Sequence, residues 1–373
     1  MYYQLVGTKS LTKPKYQQIL QSLREEILSG HYRPGDRLPS EAELVKLHGA
    51  SRITVNRALR ELQVAGLIER RVGSGSYVQL DSMRNRTFGL LIPELGMTEI
   101  FEPICRGIAE TEQAEQHSLL WSKSISDSAN REAAALEVCS QMVAQKVSGV
   151  FLAPLELTPG KDATNRLIAG LLDKAGIPVV LLDRDLEAYP GRSRYDLVGI
   201  DNRRAGYAIT AHLLKRGCKR LAFLGRPHSA PTVDARIAGF REALLDAGIE
   251  PLPTLIWRIE PSDLTEVKKL IDKTRPDGVV CANDFTAAHL MKTLGELGIN
   301  VPSDIRLVGI DDVKYASLLP VPLTTIHQPC FDIGAAAIFT MNQRLKNPSF
   351  PAQDILLDFK LVVRQSCGPA QPL

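Results

Sequence analysis

Apolar positions along this chain change their spacing near residue 88. Before that point they recur three or four residues apart in three short segments, which predict helices over about 16–29, 41–48 and 52–65. A glycine follows each segment, where it can end a helix in the left-handed conformation. The chain is therefore predicted to open with a small helical unit.

Short unbroken apolar runs alternate with amphipathic segments from Phe88 onward. The runs predict strands over 88–92, 119–122, 149–152, 179–182, 197–200, 221–224, 278–281 and 307–310, with a last strand over 355–364. The segments between them predict helices, for example over 104–115, 131–145, 204–216, 236–247 and 285–297. Because unbroken apolar strands separated by helices need cover on both faces, the predicted fold class is α/β, with two parallel sheets.

The helical unit has the signature of a helix-turn-helix followed by a basic hairpin. Ser40 and Glu43 form a capping box at the start of the second helix. Only a tight connection separates that helix from the third, which begins after Ser51, as helix-turn-helix units require. Strands over 67–72 and 76–79 then flank a glycine-tipped turn. Because the outward face of the third helix is basic, we expect this winged helix-turn-helix to enter a major groove of DNA.

Size and charge support a division into a DNA-binding head and a larger body. At 373 residues the chain exceeds the usual limit of about 250–300 residues for one core. The first 86 residues hold 14 Lys and Arg against 8 Asp and Glu, whereas the remainder holds 31 against 34. A basic head on a slightly acidic body predicts an anionic partner for the head alone.

The sequence disfavours several classes of protein. No apolar run approaches the roughly 18 residues that a membrane span needs, and the N-terminus lacks the apolar core of a signal peptide. The six cysteines form no C-x-x-C pair, which is typical of reduced structural thiols. We therefore expect a cytoplasmic protein with no membrane partner, no cofactor and no metal site.

Residues 14–79 resemble the GntR-type winged-helix domain, in the pattern LPSE-x-EL … SR-x-TV-x-x-AL-x-x-L-x-x-x-GL-I … G-x-G-x-[YF]-V. Two positions depart from that pattern, because Ala42 and Asn56 stand where many relatives have an arginine. The resemblance implies DNA contacts at Arg37, Ser51, Arg52, Thr54, Asn56, Arg57, Gly73, Ser74 and Gly75.

Polar residues follow several of the predicted strands in the body. In parallel sheets ligands bind at the carboxyl ends of the strands, which singles out Asp183 with Arg184, Asn283 with Asp284, and Asp311 with Asp312. For Asp284 and Asp312 a helix cap or loop hydrogen bond is the better interpretation. Arg236 and Gln328 join the candidates by their positions. Such side chains suit a polyhydroxylated ligand, because each hydroxyl both donates and accepts hydrogen bonds.

The body also resembles the LacI/GalR regulator core, which is similar to periplasmic sugar-binding proteins. The motifs that carry the resemblance are GIPVVLLDRD, VGIDNRRAG, ARIAGFREAL, GVVCANDFTA, LVGIDDV and LTTIHQP. Family positions that match Asp183, Arg236, Asn283, Asp311 and Gln328 face an effector cleft, and Phe101 is a candidate for an aromatic contact. A GntR-type head on a LacI-type body is similar to the arabinose-repressor subgroup.

These resemblances imply a head over 1–79, a linker over 80–87 and a two-lobed body over 88–373. The family fold crosses between lobes three times. The first lobe would hold about 88–197 and 325–351, and the second about 198–324 and 352–366.

The leading functional hypothesis is a transcription regulator, most simply a repressor of carbohydrate-use genes. A homodimer would bind a palindromic double-stranded DNA operator, and a small sugar in the cleft would control that binding. The same architecture could instead sense a purine or nucleoside. No catalytic motif such as G-x-x-x-x-G-K-[ST], H-E-x-x-H or G-x-S-x-G is present, so an enzyme is disfavoured. The head argues against a transport-type binding protein.

Overall fold

The computed structural model describes residues 14–33, 35–64, 66–71, 73–78, 86–92, 99–111, 117–121 and 131–369. The chain forms two compact units, Met1–Arg86 and Thr87–Leu373. Most of the predicted linker, 80–87, lies outside the described residues, and its last two residues begin a strand.

The first unit is a three-helix domain with a two-stranded wing. Its elements are α1 (Lys15–Leu28), α2 (Glu41–His48), α3 (Arg52–Val64), β1 (Ile68–Arg71) and β2 (Gly75–Val78). The predicted capping box is present: Ser40 Oγ accepts from the N–H of Glu43 at 3.3 Å, and the Glu43 carboxylate accepts from the N–H of Ser40 at 2.7 Å. Gly49 then ends α2 with a φ of 54°. The winged helix-turn-helix prediction is confirmed.

The first lobe of the second unit surrounds one six-stranded sheet, in the order β13-β7-β6-β5-β3-β4. Its elements are β3 (Arg86–Leu91), α4 (Phe101–Glu110), β4 (His117–Trp121), α5 (Arg131–Ala144), β5 (Gly149–Leu152), α6 (Lys161–Lys174), β6 (Val179–Leu182), β7 (Asp196–Ile200), α11 (Cys330–Lys346) and β13 (Asp354–Leu357). The strands from β13 to β3 pair in parallel. β5 and β6 are fully buried, as their unbroken apolar runs predict.

The second lobe surrounds the other six-stranded sheet, in the order β14-β12-β11-β10-β8-β9. Its elements are α7 (Asn202–Lys215), β8 (Leu221–Gly225), α8 (Pro231–Asp246), β9 (Ile256–Arg258), α9 (Leu264–Thr274), β10 (Gly278–Cys281), α10 (Asp284–Glu296), β11 (Arg306–Asp311), β12 (Thr324–His327) and β14 (Lys360–Val362). Its neighbouring strands pair in parallel, except that β12 and β14 pair antiparallel. The α/β prediction with two sheets is confirmed.

The chain passes between the two sheets three times, at positions that correct the predicted lobe limits. β7 belongs to the first sheet up to Ile200, so the first lobe extends past the predicted 197. β12 belongs to the second sheet, so 325–351 is not wholly in the first lobe. The predicted strand over 355–364 is in fact two strands, β13 and β14, in different sheets. A strand of that length was predicted wrongly because the chain changes sheet at Asp358 and Phe359.

Two glycines at the contact between α7 and α8 set the position of α8, the helix that carries Arg236. α7 and α8 pack so closely that a Cβ on Gly206 would collide with the backbone of Arg236, and a Cβ on Gly239 would collide with the backbone of Arg203. The absence of side chains at these two glycines therefore sets the position of α8 against α7. Arg236 is placed by this backbone packing, and its buried guanidinium contacts Ala282 and Asp311 at the ends of β10 and β11.

Candidate effector cleft and DNA-binding surface

Two aspartates at the carboxyl ends of strands have left-handed backbone conformations. Asp183 follows β6 in the first lobe and has a φ of 68°, and Asp311 ends β11 in the second lobe with a φ of 134°. Residues other than glycine seldom adopt such conformations, and where they do the surrounding structure holds them at a cost. The rule that ligands bind at the carboxyl ends of parallel strands, here called the strand-end rule, therefore singled out two positions with a constrained backbone conformation.

A buried charged cluster lies in the first lobe around Arg184. Its guanidinium forms an ion pair with Glu156 through Nη1 and lies 3.7 Å from Asp183 Oδ2 through Nε. The same group sits 5.3 Å above the ring of Phe101. Burial acts to raise the pKa of Glu156, but Arg184, the N–H of Ala230 and Arg236 together hold the pKa below its ordinary value. Burial raises the pKa of Asp183 in spite of Arg184.

Arg236 organises the facing cluster in the second lobe. Its Nε donates to Asn202 Oδ1 at 2.8 Å, and its Nη1 donates to the carbonyl of Ala282 at 2.6 Å. Its Nη2 lies 3.7 Å from Asp311 Oδ1, which also accepts a hydrogen bond of 2.7 Å from Gln328 Nε2. Burial raises the pKa of Asp311 to about 8, although Arg236 acts in the opposite direction.

Asp311 and Gln328 also line a cavity of about 440 Å³ between the start of α4 and the segments that cross between the lobes. That volume falls within the roughly 300–1,000 Å³ of small-molecule sites. Asp183, Arg184 and Arg236 do not line this cavity. The structure therefore brings five predicted cleft residues into two buried clusters, of which Asp311 and Gln328 line the cavity.

Two other predicted cleft residues have structural partners. Asn283 is the N-cap of α10, and its Oδ1 accepts hydrogen bonds from the N–H and the hydroxyl of Thr286 at 3.0 and 2.7 Å. Phe101 is fully buried, and its ring lies against the guanidinium of Arg184. Asp284 was expected to form a helix cap or a loop hydrogen bond. Its carboxylate accepts hydrogen bonds from Thr325 Oγ1 at 2.6 Å and from the N–H of Val313 at 3.1 Å, in agreement with that interpretation.

Sequence reasoning missed two members of these clusters, Glu156 and Asn202. Asn202 lies just beyond the carboxyl end of β7, so the rule that singled out Asp183 could have found it, whereas a loop separates Glu156 from β5. Glu156 lies four residues beyond the end of β5. Asn202 is the first residue of α7, so its position in the sequence resembles an ordinary helix start.

The predicted DNA-binding residues lie at the start of α3 and around the wing. Ser51 caps α3, since its Oγ accepts from the N–H of Thr54 at 3.2 Å. The side chain of Arg52 is 81% exposed. Arg57 stacks on the ring of Tyr16 at 3.9 Å, which orders it on the outward face of α3.

The turn of the wing brings Arg37 next to Gly75. A Cβ at Gly75, which has a φ of 120°, would lie 2.8 Å from Arg37 Nε. Gly73 also has a positive φ, of 77°. Ser74 Oγ lies 2.7 Å from the hydroxyl of Tyr77, which ties the tip to β2. The predicted wing residues therefore form one short, ordered turn.

Two family models match this chain. Residues 15–78 match the bacterial regulatory proteins of the gntR family, and residues 210–367 match a periplasmic binding protein-like domain. The first compact unit therefore carries the gntR match, and the second carries the match to the periplasmic binding protein-like domain. Both resemblances seen in the sequence are thereby confirmed.

Relatives and solved structures agree with this composite architecture. The chain is 29% identical to an arabinose metabolism transcriptional repressor of Geobacillus stearothermophilus, over 96% of this chain and 99% of that protein. A LacI family transcriptional regulator from Enterococcus faecium with bound ribose is 23% identical, with a TM-score of 0.62, over 77% of this chain and 100% of the other. The complex of the transcriptional regulator CelR with cellobiose is 22% identical, with a TM-score of 0.64, over 95% and 100%. These two structures show the shared fold.

Among the described residues, no helix is both long enough and apolar enough to cross a membrane. In the same part of the chain, no group of three or more His, Cys, Asp or Glu side chains could hold a metal ion.

Proposed function

We propose that the chain is a transcriptional repressor of carbohydrate-use genes whose operator binding is controlled by an uncharged sugar between the two lobes. The relative from Geobacillus stearothermophilus is named as a repressor of arabinose metabolism, and two fold neighbours hold ribose and cellobiose. The gntR-family domain supplies the DNA-binding head, and the second unit supplies the sensor.

The observation that carries the sugar assignment is a pair of buried polar atoms. Asp183 Oδ1 and Arg184 Nε have no hydrogen-bond partner among the described residues. One is an acceptor and the other a donor, and a hydroxyl group satisfies both kinds. Leaving such atoms unpaired costs about 1–3 kcal/mol each, which a ligand hydroxyl would recover.

The charges of the two clusters favour a ligand without a net charge. Arg184 is balanced by Glu156, and Arg236 shares the buried site with the carboxyl groups of Asp183 and Asp311. An added carboxylate or phosphate would place a further acidic group beside these two and would lose its hydration on burial. A neutral polyol avoids that cost.

The sensing role has a direct test by thermal shift, because a ligand that binds only the folded state raises its melting temperature. Monosaccharides and nucleosides form the two arms of the screen, and a response to nucleosides alone would overturn the sugar assignment. Arg236→Ala should abolish a genuine response. Arg241→Ala, on the exposed face of the same helix, is the matched control and should retain it.

The proposal includes a homodimer and no catalysis. Two heads would meet half-sites about 34 Å or a multiple apart on a palindromic operator, and access to that DNA implies a cytoplasmic location. Bound sugar should be recovered chemically unchanged after incubation with the protein. Turnover of the sugar would contradict the assignment as a regulator, and analytical ultracentrifugation tests the dimer.

A further inference from the structure

A charged cluster joins three elements of the DNA-binding unit, and we call it the Glu41 cluster. Its members are Glu41 at the start of α2, Arg52 and Asn56 on α3, and Arg70 on the wing strand β1. Arg70 Nη2 lies 2.5 Å from Glu41 Oε1, and Arg70 Nη1 donates to Asn56 Oδ1 at 2.7 Å. Asn56 Nδ2 donates to Glu41 Oε1 at 3.2 Å, and Arg52 Nε donates to Glu41 Oε2 at 3.1 Å.

The two neighbouring arginines of β1 differ in their surroundings. Successive side chains of a strand point to opposite faces, and only Arg70 reaches α3. Its side chain is 29% exposed, whereas that of Arg71 is 58% exposed and pairs with Glu69 at 2.9 Å beside the ring of Tyr77. A guanidinium has five N–H donors, so two bonds within the protein leave Arg70 three donors in a fixed orientation.

Arg70 contacts Asn56, the residue at which α3 departs from the GntR-type pattern. Asn56 stands where many relatives of the GntR type have an arginine, and the side chain that contacts Asn56 in this chain is Arg70. We propose that Arg70 delivers from the wing strand the guanidinium that reads a guanine beside α3, and that Glu41 and Asn56 are positioning residues that hold it.

The chemistry of the proposed contact is specific. Arginine is suited to a bidentate bond with O6 and N7 of guanine in the major groove, and such a pair contributes a discrimination of roughly 5- to 150-fold against other bases. Lysine preserves the charge but cannot reproduce the planar pair of donors. The inference rests on DNA binding by the head and is independent of which ligand the body senses.

The first experiment selects a randomised double-stranded DNA library on the full-length wild-type protein and then compares variants on the selected sequence. Arg70→Lys should lose roughly 5- to 150-fold of the preference for one guanine in each half-site, with little change in melting temperature. Arg71→Lys is the matched control and should retain that preference. Glu41→Gln should weaken the same preference partially, because it loosens the hold on Arg70.

A second measurement keeps the test independent of variant folding. Replacing that guanine by 7-deazaguanine removes the N7 acceptor, which should weaken wild-type binding and leave Arg70→Lys binding unchanged. The proposal is overturned if Arg70→Lys keeps the wild-type preference, if Arg71→Lys loses the same one, or if the two changes weaken binding independently. Failure of the wild-type protein to select any sequence would overturn DNA recognition by the head as well.

Discussion

The Glu156 carboxylate of the first lobe accepts a hydrogen bond of 3.1 Å from the backbone N–H of Ala230 in the second lobe. The same carboxylate forms the ion pair with Arg184, so one residue joins the buried cluster to the start of α8. The N–H of Leu157 also donates to the carbonyl of His228 across the lobes, at 2.7 Å. A ligand that alters the Arg184 cluster would therefore alter the contact between the lobes, provided that it binds the two arrangements with different affinities.

Glu156→Gln should destabilise the protein markedly. It removes the main counter-charge of a buried arginine, and breaking one partner of a buried pair costs on the order of 3 kcal/mol. Equilibrium unfolding in urea measures the loss. Glu266→Gln, which breaks an exposed pair with Lys269 on α9, is the control and should leave the unfolding midpoint unchanged. Equal midpoints for both variants would refute the structural role of Glu156.

Asp311→Asn should change the pH dependence of stability. Burial raises the pKa of Asp311 from 3.8 to about 8, so the folded protein holds this proton more tightly than the unfolded chain does. The resulting stabilisation is complete below about pH 4 and is lost as the pH rises towards 8. Between pH 5 and pH 8 the wild-type melting temperature should therefore fall relative to that of Asp311→Asn. Parallel curves would show that Asp311 is ionised in the folded protein.

Two variants of Asn283 distinguish a role in capping α10 from a role in contacting the ligand. Asn283→Ala removes the N-cap of α10 and should lower the free energy of unfolding by about 1 kcal/mol. Asn283→Ser keeps a capping oxygen and should retain most of that stability. If Asn283 also contacts the sugar, both variants should show a smaller ligand-induced rise in melting temperature. A full rise with Asn283→Ser would limit the residue to capping.

Gly75→Ala should loosen the wing more than Gly73→Ala does. Both glycines have a positive φ, but that of Gly75, at 120°, lies further from the left-handed region that other residues can adopt than the 77° of Gly73, and a Cβ there would also displace the guanidinium of Arg37. A substitution that the native backbone cannot accommodate costs more than about 1 kcal/mol. Faster amide hydrogen exchange along β2 measures the loosening. Equal exchange rates in the two variants would rule out the contact with Arg37 as its cause.

The sequence predicted buried elements well because burial leaves a continuous apolar pattern. β5, β6 and β10 were predicted to the residue, since every side chain in them is buried. β9 was missed because its three residues are only partly buried and carry no such pattern. β13 and β14 were merged because alternating exposed and half-buried positions continue across the change of sheet.

The site was predictable only where a local rule applies. Asp183 and Asp311 follow apolar strands, so the strand-end rule found them, whereas Glu156 is separated from β5 by an intervening loop. The bond of Arg70 with Asn56 joins residues that are 14 positions apart and depends on how the wing folds against α3. No periodicity or motif in the sequence encodes such a contact.

The account as a whole depends on coupling between the two units. Its most direct test is the dissociation constant of the full-length protein for its selected operator, measured by fluorescence anisotropy with and without a sugar that raises the melting temperature. We expect saturating sugar to change that constant by roughly 5- to 150-fold, the usual range of coupling between two sites, and to have no effect on Arg236→Ala. A sugar that binds the wild-type protein and leaves its operator affinity unchanged would contradict the account.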